Sequence, residues 1–308
     1  MSNSVYDCFL FFNELDLLEI KLSILKNIVD KFVIVEADRT FSNTEKPFYF
    51  ELNKLRYSEF LHKIIYIKIT EYPEIKSTWD METYQRNQIA CGLKECSPDD
   101  IIIISDLDEI TNPDIIGNYT EKGIYNLKQL HFDYYFNYQR IGINKFWYRA
   151  KILHYSDITD YNLTPQNIRS FKTHKIIKNA GWHFSFLGGI DSITYKIQSF
   201  SHQEWNNNKY INNQIDYKIK NGMDLFNRKN RRLIPVKLKK NKFPGYIIDN
   251  KEKYSKYIYL EFNYFVIIKN LLYCFPYTIK NSIITALKII LPKKIIFILK
   301  KLNSKEKE

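Results

Sequence analysis

The sequence predicts an α/β protein built on a Rossmann-like, mostly parallel, doubly wound sheet, with a mixed sheet making up its second half. Three observations lead there. Short apolar runs alternate with helix-period segments over the first third of the chain. Ile101–Ile104 is apolar at every position, as a strand buried on both faces requires. Beyond Asn118 the pattern turns to aromatic, strand-like pieces. With 308 residues and 45% apolar content the chain can bury a large core, and its 16% aromatic content sets it apart from disordered sequences.

Val5–Phe12 reads as a buried strand. Leu15, Leu18, Leu22, Leu25 and Val29 then recur at helical spacing, with Asp16, Glu19, Ser23 and Lys26 on the other face. Phe32–Val35, Ile64–Ile69 and Ile101–Ile104 are three further strands, and Trp79–Leu93 is a helix that Ser77 or Thr78 can cap. In the second half Gly123–Asp133, Lys145–Leu153 and Gly181–Phe186 are strand-like, and Ile190–Ser199 is a helix. Open parallel sheets bind ligands beyond the carboxyl ends of their strands, so functional residues are expected just after each apolar run. The organisation expected is one domain over residues 1–261, its halves meeting near residue 118, followed by a basic amphipathic segment over residues 262–308.

The formal charge is +12, and from Phe262 onward nine lysines face two glutamates. The excess is concentrated in that tail, so no nucleic-acid partner is expected. Apolar stripes alternate there with lysines, a pattern of helices that lie on an anionic membrane surface through residues 262–301. No apolar run reaches the roughly 18 residues needed to span a bilayer. The cysteines at 8, 91, 96 and 274 fit neither a paired framework nor a CxxC metal site and are expected to be reduced, buried thiols. Asp7, Glu14 and Asp16 interrupt the first apolar stretch, which does not read as a secretory signal. A cytoplasmic location follows, with the tail at the membrane face.

The strongest chemical signal is Ser105-Asp106-Leu107-Asp108-Glu109 at the end of the four-isoleucine strand. Carboxylates two positions apart share one side of an extended chain, and their repulsion is relieved by a hard divalent cation that prefers oxygen ligands. Mn²⁺ or Mg²⁺ is therefore expected on Asp106 and Asp108, where it can also bridge phosphates. A solvated acidic turn ahead of the helix opened by Pro113 is the plainer alternative. A haloacid-dehalogenase-type phosphatase also carries DxD, but Ile110 stands where that motif has Thr, and three strands precede it here. A non-catalytic, basic membrane- or polyanion-binding protein is the remaining alternative.

Phe12–Glu19, Phe32–Glu36 with Thr40-Phe41-Ser42, Gln85-Arg86, Ser105–Glu109, Ala180–His183 and Ser201–Glu204 together resemble glycosyltransferase family 17, in consistent order over about residues 5 to 250. That family includes the β-1,4-mannosyl-glycoprotein β-1,4-N-acetylglucosaminyltransferases. The resemblance implies a GT-A-like fold with a donor half and an acceptor half. It implies a UDP-sugar donor, UDP-N-acetylglucosamine, a glycan or lipid-linked glycan acceptor, and inversion at the anomeric carbon. Glu36, Arg39, Arg86, Asp106, Trp182 and His183 are expected at the donor, Glu36 and Arg39 because they follow the second strand at the carboxyl edge that Asp106 shares. His202 is expected as the third metal ligand, and Asp191 or Glu204 as the base that deprotonates the acceptor hydroxyl. Gly188-Gly189 is expected to let backbone approach a sugar closely. Beside these stand the plainer roles: a surface Glu36–Arg39 pair, a helix-surface Arg86, an N-cap Asp191 and a buried, hydrogen-bonded His202.

Overall fold

The computed structural model of the chain describes residues 3–142, 144–206 and 214–274. Among these residues thirteen strands form two sheets. They are β1 (Val5–Leu10), β2 (Lys31–Ala37), β3 (Ile64–Ile69), β4 (Ile101–Ile104), β5 (Glu109–Thr111), β6 (Tyr125–Leu127), β7 (Gln129–Asp133), β8 (Tyr138–Ile141), β9 (Phe146–Trp147), β10 (Lys151–His154), β11 (Ile176–Ile177), β12 (Gly181–Ser185) and β13 (Arg232–Pro235). The first sheet has the order β11-β6-β10-β4-β1-β2-β3. Its β4, β1, β2 and β3 run parallel, while β10 lies antiparallel between β4 and β6. The second has the order β13-β8-β7-β12-β5, with β9 paired to β7.

The parallel strands are buried on both faces. On one, Phe9, Phe32, Ile34, Ile101 and Ile103 pack with Leu18, Leu22 and Leu25 of the helix Leu15–Leu25. On the other, Cys8, Val33, Val35, Ile102 and Ile104 pack with Ile89 and Leu93. The expected helix over Trp79–Leu93 is Thr78–Asn87 followed by a 3₁₀ stretch Gln88–Gly92, and the Ser77 hydroxyl accepts from the amide of Asp80 at 3.1 Å as its N-cap.

The chain leaves the first sheet at Ile104 and enters the second at Glu109, so the DxD loop is the seam between the two. In the second sheet β12 lies antiparallel to β5 and parallel to β7, with His183 opposite both Glu109 and His131. Alternation along the strands turns Phe132 and Phe184 into the core and His131, Asp133, His183 and Ser185 to the opposite face. Gly181 starts β12 at φ +129, and a Cβ there would stand 2.0 Å from the Ile110 carbonyl oxygen, so the close crossing over β5 requires glycine.

The four cysteines are free, but only Cys8 is buried and Cys91 is exposed, which corrects the expectation of four buried thiols. The helix Tyr264–Cys274 packs on β13, where the buried Asn270 side chain donates to the Leu233 carbonyl at 3.0 Å. The tail therefore begins as part of the fold, and the remainder of the expected membrane segment, residues 275–308, lies outside the described residues. Among the described residues no helix is long and apolar enough to cross a membrane.

Candidate active site

A cavity of about 470 Å³ opens at the carboxyl ends of β1, β2 and β4, the edge where ligands were expected. Leu10 to Phe12 and Glu14 line it after β1, Arg39 to Phe41 after β2, and Asp106 to Asp108 after β4. His131 and Asp133 of β7, Arg140 of β8 and His183 of β12 close it from the second sheet.

Each DxD carboxylate is held by cations from separate elements. Asp106 accepts from Arg86 Nη2 at 3.1 Å and from Arg169 Nη2 at 2.6 Å. Arg169 also forks onto Glu109, at 2.6 and 2.5 Å, and the Trp147 indole donates to the same carboxylate. Asp108 accepts from Lys196 Nζ at 3.0 Å and stands 3.4 Å from His183 Nε2. Beneath the loop, the fully buried Lys21 ammonium donates to Ser105 Oγ at 2.8 Å and to the Asp106 and Glu109 carbonyls at 3.2 and 3.1 Å. It stands 3.4 Å from the buried Asp7 carboxylate. The loop thus has a cationic floor as well as cationic walls.

These contacts keep the carboxylates ionised. Burial alone would raise Asp106, but Arg169 and Arg86 outweigh it and hold the acid below its usual range. Burial also opposes ionisation of Asp108, and Lys196 and His183 reverse that, holding it well below the ordinary carboxylate range. Lys196 in turn is penalised by burial, yet Asp108 and Glu14 push it up overall. Asp106 keeps 38% of its side chain exposed, so a ligand in the cavity can reach it.

Behind His183 the network continues across the second sheet. The His183 ring stacks on Trp147, with centroids 4.5 Å apart, and tilts against His131 at 4.4 Å. His131 Nε2 stands 3.2 Å from Asp133, and Arg140 donates to Asp133 from Nε at 3.0 Å. Burial, partly offset by Asp133, pushes the His131 pKa down to about 3 and keeps that ring neutral.

Of the residues expected at the site, Arg39, Arg86, Asp106, Asp108, His183, His202 and Glu204 all line this cavity. Four expectations change. Glu36 is fully buried and accepts from the Tyr49 and Phe50 amides at 2.6 and 3.1 Å, from Lys46 at 3.1 Å and from Tyr66 at 2.8 Å. It anchors the start of the helix Tyr49–Leu52 and does not line the cavity. Trp182 alternates away from His183, donates to the Lys242 carbonyl at 2.8 Å and lines a different pocket. Asp191 is exposed in the first turn of the helix Gly189–Ser199 and does not line the cavity, and neither does the glycine pair, whose positive φ values serve the turn into that helix.

The fourth is His202 as third ligand. Its Nδ1 is 2.6 Å from Glu204 and its ring meets Trp79 edge-on at 4.6 Å. Among the described residues no group of three or more His, Cys, Asp and Glu side chains could hold a metal ion. Unanticipated were Lys21, Arg169, Lys196, His131, Asp133, Arg140 and Trp147. Only Lys21 had a local signal, as a lysine on the apolar face between Leu18 and Leu25.

Comparison with known proteins sets this geometry in context. The family model described as "Glycosyltransferase family 17" matches residues 1–260. The β-1,4-mannosyl-glycoprotein 4-β-N-acetylglucosaminyltransferases of Homo sapiens and Rattus norvegicus are each 29% identical to the chain over 106 residues, and that of Mus musculus is 28% identical. The matches cover 32% of this chain and only 20% of each relative's length. Among solved structures, a mannosyltransferase from Pyrobaculum calidifontis in complex with GDP-Man and Mn²⁺ aligns over 62% of this chain and 58% of its own. Its sequence identity is 10% and its TM-score 0.36, a likeness that carries no argument.

Proposed function

The chain belongs to glycosyltransferase family 17, and on that premise we propose that it transfers N-acetylglucosamine from a uridine diphosphate donor to a hydroxyl of a glycan or lipid-linked glycan, with inversion at the anomeric carbon. The names of its curated relatives support the sugar. The observation that carries the reading is the DxD pair: two carboxylates at the seam of two sheets, held ionised by four basic side chains and opening on one cavity.

The donor diphosphate lies over that pair, with Arg86 beside it. Arg86 is held in place there, with Nη1 on Gln166 and Nη2 on Asp106 and Glu82, so its charge faces the diphosphate in a fixed position. The nucleoside lies on the side of Arg39, where Phe12 and Trp79 line the cavity. Asp106 and Asp108 fit a divalent cation in kind and number, since Mg²⁺-type sites use one or two carboxylates and leave further positions to substrate phosphates. Such a cation would share them with Arg86, Arg169, Lys196 and His183. When bound it supplies positive charge against the departing diphosphate.

The acceptor hydroxyl loses its proton to His202. Glu204 takes the Nδ1 hydrogen of that ring, which orients it and leaves Nε2 as the accepting atom. The hydroxyl oxygen then forms its bond to the anomeric carbon as the bond to the diphosphate oxygen breaks, and the charge developing there is met by Arg86 and Lys196.

The test is release of free nucleotide from a donor panel with Mn²⁺ or Mg²⁺ and no acceptor. Faster release from UDP-N-acetylglucosamine than from UDP-glucose or GDP-mannose is expected. Release from none of them, or from the guanosine donor alone, overturns the reading.

A further inference from the structure

The second-sheet end of the cavity carries an arginine that no carboxylate pairs among the described residues. Three arginines line it: Arg140 on β8, and Arg228 and Arg231 on the segment leading into β13. Arg140 is engaged by Asp133, with Asp224 3.8 Å away. Arg228 forks onto Asp224, with Nη2 at 2.7 Å and Nε at 3.1 Å. Two carboxylates thus answer two guanidiniums, and Glu204 is engaged by His202. The third, Arg231, is partly buried and has no ion-pair or side-chain hydrogen-bond partner among the described residues, although the cavity is open to it. Burial, then the like charges of Arg228 and Arg140, push its pKa down. A protein gains nothing from a half-desolvated, unpaired cation unless something else neutralises it.

Aromatic rings adjoin this charge. Trp205 and Phe226 have centroids 4.9 Å apart, Phe186 meets Phe226 at 5.9 Å, and the Arg228 guanidinium lies 5.1 Å over the Phe226 ring. All three rings line the cavity. A planar fork of N–H donors set in a partly apolar wall suits a sugar that bears a carboxylate or phosphate. In sheet order β13 stands four strands from β5, roughly 19 Å at the usual spacing of about 4.8 Å. The Arg231 end therefore lies on the far side of the cavity from the DxD loop.

We propose that the acceptor is an anionic glycan, whose carboxylate or phosphate is received by Arg231 with Arg228 beside it. This rests on the transferase reading above, and it adds a substrate class to it. The anionic group remains attached throughout and is not the one that reacts.

Sugar binding to the full chain saturated with UDP, followed by calorimetry, tests this without requiring turnover. The probes are glucuronic acid against glucose for the carboxylate, and mannose 6-phosphate against mannose for the phosphate. At least one anionic sugar should bind tenfold or more tightly than its neutral counterpart, with the preference weakening as salt rises. The better of the two names the group. In Arg231→Gln the preference should collapse to within about twofold, while Arg231→Lys should retain part of it, and UDP affinity should stay within twofold in both. Equal binding of neutral and anionic sugars by the unaltered protein overturns the proposal. So does a loss of UDP affinity in Arg231→Gln that matches the loss for the sugar, because the arginine would then serve the donor diphosphate. Nucleotide release from a donor panel fails or succeeds separately, so a wrong donor assignment is distinguishable from a wrong acceptor class.

Discussion

The two ends of the cavity handle charge in opposite ways. At the DxD end every carboxylate is answered: Asp106 by Arg86 and Arg169, Asp108 by Lys196 and His183, Glu109 by Arg169 and Trp147, with Lys21 holding the loop from below. At the other end Arg231 is left over, and the His202–Glu204 pair is about half exposed. A site for a group that is the same in every turnover can be finished in advance, which removes reorganisation from the reaction. A site that leaves charge unanswered waits for its ligand to supply it. The first end should therefore be intolerant of substitution in both stability and rate, and the second should respond mainly in rate and selectivity.

The harshest test of the finished end is Asp108→Asn. It preserves shape but removes the charge facing Lys196 and His183, and nucleotide release and transfer should fall at least about 10³-fold, as for loss of a principal electrostatic contact. Near-wild-type turnover after metal stripping and restoration of Mn²⁺ would show that Asp108 carries no such role. Lys21→Met attacks the same end from beneath. It leaves Asp7, whose carboxyl burial already pushes up, without its cation, and takes three donors from the loop. Breaking a buried pair from one side costs about 3–5 kcal/mol, readable as a shift of the urea midpoint. A midpoint unchanged within error would mean that the loop does not depend on that ammonium.

At the unfinished end, His202→Gln should lower the transfer rate about 10²-fold, within the range for a general base, and leave the donor KM nearly unchanged. The alternative outcome is informative: if metal-dependent donor binding is lost instead, His202 is a ligand, as its place late in the chain first suggested. The fold should be indifferent in either case, because the ring is about half exposed.

The same division explains what could be read from sequence. The edge β3 and the central β4 have the boundaries expected from their apolar runs, and the DxD loop lies where the rule for parallel sheets places it. What failed was orientation. Alternation along β2 puts Glu36 on the face of Phe32 and Ile34, inside the core, and along β12 it puts Trp182 with Phe184 and away from His183. Both facts were present as a period of two. Arg169 and Lys196 reach the loop across 60 or more residues, His131 and Arg140 join the network behind His183 through the register of β7, β8 and β12, and none of the four has a local signature.

A milder probe is acid. His131 faces Asp133, Arg140, His183 and Trp147, and it stays neutral in the folded protein down to about pH 3. In the unfolded chain it takes up a proton near pH 6.5. Between those values the unfolded state binds more protons, so stability falls as pH drops through that window. At about 1.4 kcal/mol per unit, the contribution from pH 6.5 to 5 is at most about 2 kcal/mol. Urea midpoints at pH 7, 6 and 5 should fall for the unaltered protein and fall less steeply for His131→Asn. Equal slopes would show that the ring is not held neutral.

The smallest effect expected is at Asp191, which the sequence offered, beside Glu204, as the base. The residue is exposed in the first turn of the helix Gly189–Ser199, and the cavity wall does not include it. Its carboxylate faces the positive end of the helix dipole, a favourable placement in any helix that says nothing about catalysis. Lys196 and Ser199 are the residues this helix contributes to the cavity, and Lys196, about one and a half turns beyond Asp191, reaches Asp108. Asp191→Asn should thus cost about 0.3–1 kcal/mol of stability, the usual worth of such a charge, and leave transfer within about twofold. Paired with Lys196→Met, which removes a cation from the DxD end, the comparison isolates which face of one helix serves the reaction. A loss of 10²-fold or more in Asp191→Asn, with donor affinity intact, would restore Asp191 as the base and displace the His202–Glu204 pair.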